Sequence, residues 1–154
     1  MDILDTTTGA LVGRASGGTL QNPSGVIFDP LNQIFLVANS LLNNIVFIDP
    51  NTFIQTSVRV GINPTSLDYN FQTSTLVTEN SSTHILSVLD YVCPPNLLVP
   101  ACAAPLVRDV LGLGGVQNSN FVLGPNAIAV DPKLNLGALV DPDNNRVLLV
   151  PLPR

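Results

Sequence analysis

The chain has 154 residues, of which 45% are apolar and only 11% charged, with a formal net charge of −5. An average globular domain carries roughly 25% charged residues, and here one lysine (Lys133) and one glutamate (Glu79) leave little material for exposed amphipathic helices. No basic run points to nucleic acid, and no segment approaches the ~18 uninterrupted apolar residues of a spanning helix.

Asn, Thr, Ser, Val, Ile, Pro and Gly dominate instead, a vocabulary of short strands and tight turns, so the expected class is all-β. Read from the start, Met-Asp-Ile-Leu-Asp offers neither a basic nor an apolar leader region, so any export signal lies outside this sequence. Leu4-Asp5-Thr6-Thr7-Thr8-Gly9 then matches Ile48-Asp49-Pro50-Asn51-Thr52-Phe53. Residues 1–21 are therefore expected to be the last strands of a unit whose beginning is missing.

A full unit follows over 22–62. It opens with Asn-Pro-Ser-Gly-Val-Ile-Phe-Asp-Pro from Asn22, and four short strands are predicted near 25–29, 34–39, 44–49 and 54–60. The turns between them carry Asp-Pro-Leu-Asn, Ser-Leu-Leu-Asn-Asn and Asp-Pro-Asn-Thr, which supply turn chemistry. A second unit begins at Asn63 and a third, shorter one at Gly124, so residues 125–154 read as a partial unit. The anchors keep step. Pro23 to Pro64, Asp29 to Asn70 and Asn39 to Asn80 are each 41 residues, while Pro64 to Pro125, Asn70 to Asp131 and Asn80 to Asp141 are each 61.

The 20 extra residues fall in two places. Asp49 to Gly61 spans 12 residues but Asp90 to Gly112 spans 22, and Gly61 to Pro64 spans 3 but Gly112 to Pro125 spans 13. The unit 63–124 thus carries insertions at 93–102 and 113–124. The first holds the only cysteines, Cys93 and Cys102, in a Pro-rich loop. A disulfide between them is the expected state, with two free thiols as the alternative, and pairing would indicate an extracellular or periplasmic protein.

The strands Ile34–Ala38 and Ile45–Ile48 are apolar at consecutive positions rather than alternating. Such strands belong to sheets covered on both faces. A sandwich would leave one face wet, whereas blades stacked face to face around an axis cover both. The expected architecture is a set of β-propeller blades of four antiparallel strands, in an incomplete ring of about three to three and a half blades. Rings need roughly four to eight blades, so the terminal faces require covering. Further blades from a longer parent chain are the preferred source, and a second copy completing a six-bladed ring is the other.

These units resemble the NHL and YVTN-type propeller repeats. Leu36-Val37-Ala38-Asn39 and Asn44-Ile45-Val46-Phe47-Ile48-Asp49 carry the resemblance best, with Gly61-Ile62-Asn63-Pro64 as the junction between units. It covers nearly the whole chain except the insertions and speaks to fold more than to function, since such propellers host unrelated activities.

In that architecture the turns Asn39–Asn44, Glu79–His84 and Asp141–Arg146 and the Gly112–Gly124 connection would gather at the mouth of the channel. The candidate ligand-binding residues are therefore Asn39, Glu79, Asn80, His84, Asp141 and Arg146. Gluconolactonase-type propellers, similar in architecture, bind a metal through Asn, Asp and Glu there, which implies calcium or another divalent cation as an alternative to no cofactor. Recurrence of Asn39, Asn80 and Asp141 in every unit favours a turn-forming role over chemistry.

No catalytic residues are assigned. His84 stands at a turn position with no acid or nucleophile in a recognisable relation to it. Ser24, Ser66 and Ser87 lack a nucleophile elbow, and Gly112-Leu113-Gly114-Gly115 is not followed by the Lys-Ser/Thr of a phosphate loop. Asn80-Ser81-Ser82 is a glycosylation sequon, which matters only in a secreted eukaryotic setting. The expected function is a non-enzymatic module binding a protein or surface ligand; the alternative is part of a lactonase- or lyase-like enzyme.

Overall fold

A computed structural model describes residues 2–15, 19–82, 85–90, 106–110, 128–141 and 145–152. Its described residues form four antiparallel sheets and no α-helix. The first is a hairpin of β1 (Asp2–Leu4) and β2 (Leu11–Arg14). The second runs β3 (Pro23–Asp29), β4 (Ile34–Asn39), β5 (Asn44–Ile48) and β6 (Gln55–Arg59), and the third β7 (Pro64–Asn70), β8 (Thr75–Asn80), β9 (Ile85–Asp90) and β10 (Leu106–Val110). The fourth contains β11 (Ile128–Asp131), β12 (Leu136–Asp141) and β13 (Arg146–Pro151). In every sheet each strand pairs with its neighbour in sequence, and no sheet closes on itself. Among the described residues no helix is long and apolar enough to cross a membrane.

Turn chemistry sets this order locally. At the end of β3 the Asp29 Oδ1 accepts hydrogen bonds from the backbone N–H of Leu31 (2.8 Å) and Asn32 (3.2 Å). Asn70 does the same for Gln72 and Thr73, and Asp131 for Lys133 and Leu134. Each of these turns closes through a left-handed residue, Gln33, Ser74 and Asn135, with φ of 57°, 56° and 54°. A carboxylate or amide that caps its own turn directs the chain back without help from distant contacts. The spacing of 41 and then 61 residues read in the sequence is therefore also the spacing of the hairpins.

The entry into each sheet repeats in the same way. Both β3 and β7 carry a register shift just after their first proline, at Pro23/Gly25 and Pro64/Ser66. The backbone N–H of Ser40 donates to the Asn22 carbonyl and that of Ser81 to the Asn63 carbonyl, at 3.2 and 3.0 Å. Proline has no N–H to give to a ladder, so a shift at the first strand residue costs little there.

The core lies between sheets. Leu36, Ala38, Ile45 and Phe47 of the second sheet pack with Leu67, Tyr69, Leu76 and Leu89 of the third. On the far side of the third sheet Val77, Leu86 and Val88 pack with Ile128, Leu139 and Val150 of the fourth. The other face of the second sheet, with Val37, Val46 and Ile48, is covered by Ala15 and Leu20. The middle strands of the second and third sheets are thus buried on both faces, as the consecutive apolar residues of β4 and β5 require for the second. Polar bonds cross the same gaps. The Ile128 N–H donates to Ser66 Oγ (3.3 Å), the Val130 N–H to Asp68 Oδ2 (2.7 Å), and Asn70 Nδ2 to Asn135 Oδ1 (2.9 Å).

Candidate functional site

The recurrent polar residues close the ends of the second strands. Asn39 is fully buried; its Nδ2 donates to the Thr19 carbonyl and to Asn44 Oδ1, both at 2.7 Å, and its Oδ1 accepts from the Gln21 N–H at 2.6 Å. One side chain thereby ties the turn of its own sheet to the connection arriving from the sheet before. Asn80, equally buried, donates from Nδ2 to the Ile85 carbonyl (2.8 Å) and to Ser87 Oγ (2.9 Å). It also presses on the preceding connection. A Cβ added at Gly61 would meet Asn80 Cγ at 2.7 Å, so any other residue there would force the Asn80 side chain to shift.

Asp141 is 1% exposed and its Oδ2 accepts from Arg146 Nε at 2.6 Å, across the last paired residues of β12 and β13. All three strand ends hold their polar groups inside the protein rather than offering them as free tips. His84, Cys93, Cys102 and the Gly112–Gly124 connection lie outside the described residues, so the expected disulfide does too.

Glu79 departs from this pattern. It is 3% exposed, and it stands where Ala38 stands one unit earlier and Val140 one unit later. It shares the face of Val77, which packs toward the fourth sheet, because side chains two apart on a strand lie on one side. The Thr65 hydroxyl donates to its Oε2 at 2.6 Å. Burial disfavours the carboxylate and pushes its pKa up to about 7, against the pull of the Thr65 hydroxyl. A carboxyl titrating near neutrality inside a protein is able to exchange a proton or, once ionised, to hold a cation. Among the described residues no three His, Cys, Asp or Glu side chains gather in a metal-holding group.

Several participants were not singled out from the sequence. Thr65 occupies the position of Ser24, whose hydroxyl instead donates to the Pro64 carbonyl at 2.9 Å. A Ser-to-Thr exchange paired with an Ala-to-Glu exchange one strand away was the available signal. Thr19 and Gln21 left none, since backbone groups carry their role. No protein-family model matches the chain, and no curated protein matches it either.

Apolar side chains are exposed close to this end. Leu41 and Leu42 project from the 3-10 turn Ser40–Leu42, and Ile62 from the connection between the second and third sheets. Asn43 joins the two segments, its carbonyl accepting from the Val60 N–H (3.0 Å) and its Oδ1 from the Asn63 N–H (2.9 Å).

Proposed function

We propose that the chain is an arc of propeller blades of the NHL/YVTN type acting as a non-enzymatic binding module of an exported protein. The observation that carries this reading is the use made of the recurrent polar residues. Asn39 and Asn80 spend their hydrogen bonds on strand ends and connections, as scaffold residues do. The Asn39 bonds fix the turn that carries Leu41 and Leu42, Asn43 holds the connection that carries Ile62, and all three apolar side chains stand out into solvent. Apolar groups on pinned turns lose little conformational entropy on binding, which suits recognition of a protein or surface ligand.

The test uses Leu41→Asp combined with Ile62→Asp. Both side chains are exposed, so stability is expected to change by only about 0.5 kcal/mol. A partner cross-linked to the unmodified chain in its own cells, then purified and titrated, is expected to bind the double variant at least tenfold more weakly. Equal affinity for both proteins would refute the assignment of this surface.

Glu79 supports a second reading, a divalent cation held at this end of an enzyme's propeller. Calcium titration with the melting temperature as readout separates the two. A cation bound by the native state must raise that temperature, and one bound by Glu79 loses the effect in Glu79→Ala. The binding-module reading expects no shift.

A further inference from the structure

Three Asn-x-Ser/Thr triplets occur in the sequence, and only one has a residue other than proline in the middle. Asn22-Pro23-Ser24 and Asn63-Pro64-Thr65 stand at the entries of the second and third sheets, and their prolines close them to N-glycosylation. Asn80-Ser81-Ser82 has no such block. It exists because Ser82 stands where Leu41 stands one unit earlier, the preceding Asn-Ser pair being the same in both units.

The fold closes this third triplet. Transfer of a glycan breaks the bond between the anomeric carbon of a lipid-pyrophosphate-linked oligosaccharide and its phosphate oxygen. A new bond joins that carbon to the asparagine Nδ2, which gives up one of its two protons, and the lipid pyrophosphate leaves. In the folded protein Asn80 is fully buried, and its Nδ2 donates to the Ile85 carbonyl at 2.8 Å and to Ser87 Oγ at 2.9 Å. A modified amide keeps one proton for these two acceptors. Its sugar ring would occupy the place of β9, whose Ile85 pairs with Asn80. Gly61 closes the other side, against Asn80 Cγ. Ser81 is buried too, its hydroxyl donating to the Asn63 carbonyl at 3.1 Å.

We infer that Asn80 accepts a glycan only in the unfolded chain, so that glycosylation there and closure of the β8–β9 hairpin exclude each other. A chain modified during synthesis in a glycosylating compartment cannot form its third sheet, and a chain that has folded is protected. Ser82 decides the competition. Its side chain is exposed and its backbone N–H donates to the Ile62 carbonyl, a bond that any residue except proline makes. Its hydroxyl therefore serves the triplet and not the fold.

A purified oligosaccharyl transferase with its lipid-linked oligosaccharide supplies the test. The folded chain and a peptide spanning residues 76–86 are offered side by side, and added mass is read on each. The folded chain is expected to react at least about a hundredfold more slowly, because it must open before Nδ2 is reached. Sent through a eukaryotic secretory pathway behind a cleavable leader, the chain is expected to emerge at its unmodified 16.3 kDa. Glycan is expected only on retained, protease-sensitive molecules. Ser82→Ala is expected to raise the secreted yield and leave the urea midpoint unchanged. On that background Leu41→Ser makes the same triplet at Asn39, equally buried, and is expected to lower the yield again. Secreted protein with a glycan on Asn80 and exchange-protected β8 and β9 amides would overturn the inference. So would a peptide modified no faster than the folded chain.

Discussion

Raising the pH from 5 to 8 is expected to destabilise this fold through Glu79, and Glu79→Gln is expected to remove that loss. In the unfolded chain the carboxyl ionises near 4.5, whereas burial holds it protonated in the fold up to about 7. Between those values the native state binds the extra proton, so stability declines with rising pH until the folded group ionises too. Each pH unit is worth about 1.4 kcal/mol, which puts the full loss at roughly 3 kcal/mol. Below about 4.5 both states are protonated and Glu79 contributes no pH dependence.

The measurement is a urea midpoint series for both proteins across that range. Subtracting one from the other cancels the groups that both proteins share. The carboxyls of Asp5 and Asp49 are held below their ordinary value, so what they add is lost only on the acid side. Glu79→Gln keeps an oxygen for the Thr65 hydroxyl and is expected to be the more stable protein at pH 8. A difference that stays flat with pH would mean that Glu79 is solvated and charged in the fold. Calcium that abolished the pH dependence would instead favour the cation reading.

Replacement of Asn39 by Leu is expected to cost about 3 kcal/mol. The substitution removes three hydrogen bonds and leaves the Thr19 carbonyl and the Gln21 N–H without the partner that Asn39 supplies. Leaving such a group unsatisfied costs about 1–3 kcal/mol. Asn39→Asp is expected to be damaging as well, because a carboxylate accepts from the Gln21 N–H but has nothing to donate to the Thr19 carbonyl. Denaturant unfolding with an unchanged slope would record a loss in stability alone. A ligand-binding Asn39 would behave in the opposite way, with stability kept and affinity lost.

Much of the fold was legible because its causes are local. The turns at Asp29, Asn70 and Asp131 are closed by their own side chains, so the strands between them could be placed from spacing alone. The candidate site was legible only as a set of positions. Asn39, Asn80 and Asp141 were picked out by recurrence, but whether their polar atoms faced inward depended on the connections from preceding sheets. Glu79 drew notice as the single glutamate, while its shifted ionisation required knowing that its face of β8 is buried against the fourth sheet.

The sequence alone determined where strands and turns alternate and the apolar character of both faces of β4 and β5, since neighbouring residues and turn-capping side chains decide these. Only the tertiary structure decided which of those faces are covered. Val88 and Leu149 occupy the same position on equivalent strands, yet one is fully buried and the other 67% exposed. The difference comes from a sheet that follows the first and none that follows the second among the described residues. Burial is a property of the neighbour, and no strand encodes its neighbour's presence.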